Sequence, residues 1–191
     1  MLASRRERRR RVKPGIVIMS EIRGELADLL GEIHAAFDPR MARELPPHIT
    51  ITGSSGMGPI APSTSDDALR AALAPVASAT TPFTVHLQPP MRFMQSTVVV
   101  MTIDPNGPIR ALHEAIKSSG LSYEPARFTF TPHVTLSFYP ELDGVRLREL
   151  LRVRWDRPVV VDALQAYRAV DLTRTRKVLD LPLSGLPPAA P

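Results

Sequence analysis

The chain has 191 residues, 20 prolines, no cysteine and a formal net charge of +5, a length that suits one domain with a sizeable core. The missing cysteines exclude disulfides, thiolate zinc sites and cysteine nucleophiles, and they suit a reducing, cytoplasmic setting. The charge is lopsided: Arg5, Arg6, Arg8, Arg9, Arg10, Arg11 and Lys13, against Glu7, take seven of the 24 basic residues and one of the 19 acidic ones. The remainder of the chain is nearly neutral, which argues against tracking along a long nucleic-acid duplex.

In chain order, residues 1–13 read as a disordered basic arm whose one functional reading is non-specific contact with RNA phosphates. The apolar run Gly15 to Ser20 is too short for a signal-peptide core, and no stretch approaches a membrane span. Val12 to Glu21 is a first strand. Gly24 to Phe37 comes next as an amphipathic helix with Leu26, Leu29, Leu30, Ile33 and Phe37 on one face, ended by Asp38-Pro39. A strand from Pro47 to Thr52 leads into Gly53–Ser65, a Gly/Ser/Pro-rich loop of about 13 residues, which reads as a plain solvent-exposed loop first and as a lid second. It lacks the Gly-Lys-Ser/Thr ending of a P-loop.

Asp66 to Ala77 is the second helix, capped by Ser65 or Asp66. Three strands are predicted next, Phe83 to Leu87, Met91 to Gln95 and Thr97 to Ile103, the last a β-branched run typical of a buried central strand. Pro108 opens a helix to Ser118 that Gly120 closes. After another strand around residue 133, Gly144 to Val153 is a helix, Val159 to Val170 a long strand interrupted by Asp162, Gln165 and Arg168, and Lys177 to Leu183 the last strand. Residues 184–191 form a Pro-rich tail.

One stretch is written twice. Pro46-Pro47-His48-Ile49-Thr50-Ile51-Thr52 returns as Thr131-Pro132-His133-Val134-Thr135-Leu136-Ser137. Proline favours the first position of a strand, so each strand starts at its histidine. Alternation then puts His48, Thr50 and Thr52 on one face and Ile49 and Ile51 on the other, and likewise His133, Thr135 and Ser137 opposite Val134 and Leu136. Imidazole and hydroxyl lie roughly 6.5 to 7 Å apart along each strand, within reach of one small anion. Of the five histidines, only His48 and His133 have Thr or Ser two residues on.

The repeated order of strand, helix, histidine strand and helix predicts an α+β, bilobal domain over residues 14–183 with an internal pseudo-twofold duplication. Two mostly antiparallel sheets face each other across a cleft, with helices outside. Two histidines with hydroxyl neighbours suit acid/base chemistry on a phosphoryl group: one ring takes a proton from water while the other gives one to a departing ribose oxygen. The threonines serve the non-bridging oxygens. No metal and no other cofactor is expected, because neither motif has further ligands at zinc spacing.

The paired Pro-His-x-Thr stretches resemble the two-histidine phosphoesterase superfamily, and Arg127-Phe128-Thr129-Phe130-Thr131-Pro132-His133-Val134-Thr135-Leu136 resembles its 2′-5′ RNA ligase and cyclic phosphodiesterase branch. The resemblance implies a metal-independent enzyme acting on 2′,3′-cyclic phosphates or 2′-5′ linkages of RNA ends or nucleotides, with weak reverse ligation. Carried over, it makes His48 and His133 the catalytic pair and Thr50 and Thr135 the phosphate ligands. Phe93, Phe130, Tyr123 and Tyr167 are candidates for stacking a base, and Arg92, Arg127 and Arg168 for a second phosphate. A monomer is expected. The rival readings are a non-catalytic RNA-end binder and a metal-dependent hydrolase.

Overall fold

The computed structural model describes residues 15–53, 55–93, 96–138, 142–169 and 175–186. The basic arm 1–13 and the tail from 187 onward lie outside them, as do Gln95 and Val170, the expected ends of two strands. The elements are β1 (Ile16–Glu21), α1 (Glu25–Phe37), α2 (Met41–Glu44), β2 (His48–Thr52), α3 (Asp66–Ala79), β3 (Phe83–Val85), β4 (Leu87–Arg92), β5 (Val99–Ile103), α4 (Pro108–Lys117), β6 (His133–Ser137), α5 (Gly144–Leu150), β7 (Val159–Val161), β8 (Ala163–Ala169) and β9 (Thr175–Pro182). Among the described residues no helix is long and apolar enough to cross a membrane.

The architecture is α+β. Seven strands run in the order β4-β5-β6-β2-β1-β8-β9, all neighbours antiparallel, and β3 and β7 pair separately. The sheet divides into two wings, β4-β5-β6 and β2-β1-β8-β9, that meet at the two histidine strands through a single paired position, Ile49 with Val134. The duplication shows in the backbone as well: the Ile22 N–H donates to the Pro47 carbonyl at 2.8 Å, and the Ile103 N–H to the Pro132 carbonyl at 2.9 Å. Leu26, Leu30 and Ile33 of α1, Leu69 and Leu73 of α3, and Ile109, Leu112 and Ile116 of α4 bury their apolar stripes with Ile16, Ile18, Ile49, Met101 and Val134 of the strands. Area removed from water on this scale is the main favourable term in folding.

Two departures from the predicted elements have physical causes. Phe83–Leu87 splits at His86, and the next strand contains Pro89 and Pro90. Proline withholds a ladder N–H, and β4 tolerates two because it is an edge strand with an irregular register between Leu87 and Pro90. The long strand expected from Val159 breaks at Asp162: β7 leaves to pair with β3 while β8 joins the main sheet, and the Asp162 carbonyl accepts from the Leu183 N–H at 2.8 Å.

Residues 55–65 of the predicted loop form a strap and not a free lid. The Gly56 N–H donates to the Phe128 carbonyl at 2.8 Å, Ile60 exchanges both backbone bonds with Ile16, and Met57 and Ile60 are buried. Apolar side chains in a Gly/Pro-rich stretch give it something to bury, which a mobile lid lacks.

Candidate active site

β2 and β6 share one burial pattern: the histidine and first threonine are half-buried, and the residue between them is buried. The pairing of Ile49 with Val134, continued one residue each way, sets His48 against Thr135 and Thr50 against His133. Residues opposite one another on a ladder project to the same side, so two imidazoles and two hydroxyls share the face turned away from the core. On such a ladder the two histidines are diagonal neighbours, roughly 7 to 8 Å apart.

The rings are held alike. His48 Nδ1 lies 2.8 Å from the Pro46 carbonyl and His133 Nδ1 lies 2.7 Å from the Thr131 carbonyl, in each case two residues upstream. A carbonyl only accepts, so Nδ1 carries the proton and Nε2 is left for a guest. The intervening Pro47 and Pro132 fix φ, which holds the accepting carbonyl in place. Burial lowers the pKa of both imidazoles; for His48 the neighbouring His133 and His34 push the same way, while the Pro46 carbonyl and Glu21 oppose the shift. The Thr131 carbonyl opposes it for His133.

The surroundings differ. Glu21 pairs with His48 across β1 and β2, and it accepts from the Tyr167 hydroxyl and from Lys177 Nζ, each at 2.6 Å. Lys177 also reaches Asp180 at 3.4 Å, and its pKa is raised first by the hydrogen bond to Glu21. On the other side Phe93 meets the His133 ring edge to face, with centroids 5.1 Å apart. One imidazole therefore borders a carboxylate network and the other an aromatic ring.

Of the remaining residues named from sequence, several are occupied elsewhere. Phe130 does not line the face: it is 4% exposed and stacks on His113 at 3.9 Å, because an aromatic in this position completes the core. Tyr167 is buried with its hydroxyl committed to Glu21, so it borders His48 as a hydrogen-bond donor and does not offer a stacking surface. The Tyr123 hydroxyl donates to the Ile116 carbonyl at 2.6 Å. Arg168 holds the strap, donating to the Pro62 and Thr64 carbonyls and to Asp66, each at 2.7 Å. Arg127 and Arg92 are exposed, with no ion pair among the described residues.

Sequence reasoning passes over Glu21, His34 and His113. The last two interrupt the apolar stripes of α1 and α4 and are each 1% exposed, and a histidine inside an apolar helix stripe is the signal that marks them. Among the described residues no three His, Asp or Glu side chains gather as a metal-ligand set.

No curated protein matches the chain in sequence. Solved structures do. The chain superposes on E. coli LigT in its apo form with a TM-score of 0.57 at 18% identity, over 90% of this chain and 98% of that one. For E. coli LigT complexed with 3′-AMP the TM-score is 0.55 at 18% identity, with the same shares covered. For TT0787 of Thermus thermophilus it is 0.55 at 15% identity, over 89% and 98%. These likenesses establish a common fold. The 2′-5′ RNA ligase superfamily matches residues 19–170, a span that contains both histidine strands and the whole β4-β5-β6 wing, and the chain belongs to that superfamily.

Proposed function

We propose that the protein is a phosphoesterase that opens 2′,3′-cyclic phosphates or cleaves 2′-5′ phosphodiesters of RNA ends or nucleotides by two-histidine acid/base catalysis, with weak reverse ligation. The observation that carries this reading is the shared face of His48, Thr50, His133 and Thr135, with both Nδ1 atoms tied to carbonyls and both Nε2 atoms left over. Membership of the superfamily supports phosphoesterase-type chemistry, and the nucleotide in one E. coli LigT structure supports a nucleotide-sized guest.

In the hydrolytic direction one neutral Nε2 removes a proton from water, whose oxygen forms the new bond to phosphorus. The bond from phosphorus to the ribose oxygen breaks, and the other imidazolium supplies that oxygen with its proton. The total charge of the imidazole pair is unchanged over the turnover; the two rings have exchanged roles. Thr50 and Thr135 donate to the non-bridging oxygens, where charge builds. No step requires a metal ion. Phe93 is the best-placed ring for a base and Arg127 an exposed cation for a further phosphate. The enzyme acts as a monomer in the cytoplasm.

The test is hydrolysis of a cyclic-phosphate dinucleotide in EDTA by the wild type, His48→Ala and His133→Ala. Wild-type turnover is expected, with a loss of at least about a hundredfold in each variant. Wild-type rates in either variant remove the mechanism. Salt-sensitive binding with no product in the wild type replaces it with an RNA-end binder, and activity abolished by the chelator replaces it with a metal-dependent hydrolase.

A further inference from the structure

We propose that His34 and His113, two imidazoles outside the catalytic pair, are positioning residues that pin the two histidine strands to one another from beneath the sheet. The proposal rests on the reading of His48 and His133 as the catalytic pair.

The packing is crossed. α1 lies between β1 and β2 in the chain yet packs on β6, the histidine strand of the other half, and α4, which precedes β6, packs on β2. Each helix sends one histidine across. His34 Nε2 lies 2.9 Å from the Thr135 carbonyl, and His113 Nδ1 lies 2.8 Å from the Ile51 carbonyl. Each carbonyl accepts, so each ring donates its N–H to the backbone of the strand contributed by the opposite half.

The Ile51 carbonyl belongs to an extra residue in the ladder, and the Thr135 carbonyl to the paired residue just before one. Between β1 and β2 the register passes from Ile18 with Thr52 to Met19 with Thr50, which leaves Ile51 as an extra residue. Between β5 and β6 it passes from Val99 with Ser137 to Val100 with Thr135, which leaves Leu136 extra. Both bulges fall three residues after the motif histidine. A bulge bends its strand and leaves backbone groups out of the ladder, which once buried need another partner.

The wings share one paired position on the ladder, so the relation between His48 and His133 depends on what else joins the halves, and the two imidazole clamps do so at the residues that aim the motifs. His113 is itself wedged: its ring stacks on Phe130 at 3.9 Å, and a Cβ on Gly56 would come within 2.5 Å of it. A misplacement of about 1 Å between reacting groups costs on the order of a hundredfold in rate, so a loose seam shows in turnover before it shows in binding.

The experiment uses reach. Gln reproduces the reach of Nε2 and Asn that of Nδ1, so His34→Gln and His113→Asn keep the clamp, while His34→Asn and His113→Gln keep polarity and lose the fit. With a cyclic-phosphate dinucleotide the matched variants are expected to hold kcat within about threefold of wild type and the mismatched ones to lose about tenfold or more, with KM within about twofold throughout. Equal kcat within each pair of folded variants overturns the positioning role, and so does loss of the fold in matched and mismatched variants alike. If the wild type turns over no cyclic phosphate, the reading of the reaction fails separately. The clamps are then judged by titrating inorganic phosphate against the His48 and His133 ring protons. Binding weaker by about fivefold in the mismatched variants than in the matched ones upholds them; equal affinity, or none in the wild type, overturns them.

Discussion

At the scale of single residues the candidate site is a set of four side chains whose identities are legible because their chemistry is written twice in one spacing. Alternation along a strand assigns His48, Thr50, His133 and Thr135 to one face without any tertiary information. The residues that distinguish one imidazole from the other are not legible: Glu21 reaches His48 only through strand pairing, and its partners Tyr167 and Lys177 come from strands far along the chain. Phe130 resembles a stacking ring because its sequence neighbours are motif residues, yet the core claims it. Thr50→Val and Thr135→Val keep the branched shape and remove a donor. Each is expected to lower kcat on a cyclic-phosphate substrate by about a hundredfold, with a smaller change in KM. Unchanged kcat in either variant removes that threonine from the phosphate.

At the scale of elements, helices are legible because their apolar stripes and capping residues are local. Ser65 accepts from the Ala68 N–H at 3.1 Å, and Asp143 caps α5 through the Val145 and Arg146 N–H groups. Strand boundaries are obscure where pairing decides them. Nothing local tells Val159–Val161 to leave for β3, and Pro89 and Pro90 disguise an edge strand. The strap is hidden for a related reason, since its Gly and Pro content signals a loop while its contacts with Phe128, Ile16 and Tyr123 hold it down. Gly56 is the position that tests it. With φ of 72° and no room for a Cβ beside His113 and Phe130, Gly56→Ala is expected to cost about 2 to 4 kcal/mol, combining left-handed strain with overpacking. Urea unfolding measures it, and a loss below about 0.5 kcal/mol, the scale of an ordinary surface substitution, means the strap is looser than its contacts indicate.

At the scale of the whole molecule, three imidazoles share one electrostatic consequence. Burial lowers the pKa of His48, His113 and His133 in the folded protein, so the unfolded chain binds more protons once the pH falls below the ordinary value of about 6.5. Their contribution to stability is complete above that value and is lost as the pH falls through the folded values. The urea midpoint is therefore expected to decline from neutral pH into the acid range, and His113→Asn, which keeps the donor and does not titrate, to flatten that decline. An equally steep decline in the variant means that His113 takes no part in it.

Among the described residues the near-dyad is broken at its margins by Phe93 against one imidazole and Glu21 beside the other. A guest turned end for end on that face would find the same pair of rings but exchange an aromatic neighbour for a carboxylate. On the reaction proposed above, direction of entry, and with it the choice of which ester oxygen departs, falls to these two flanking residues and not to the twin signatures between them.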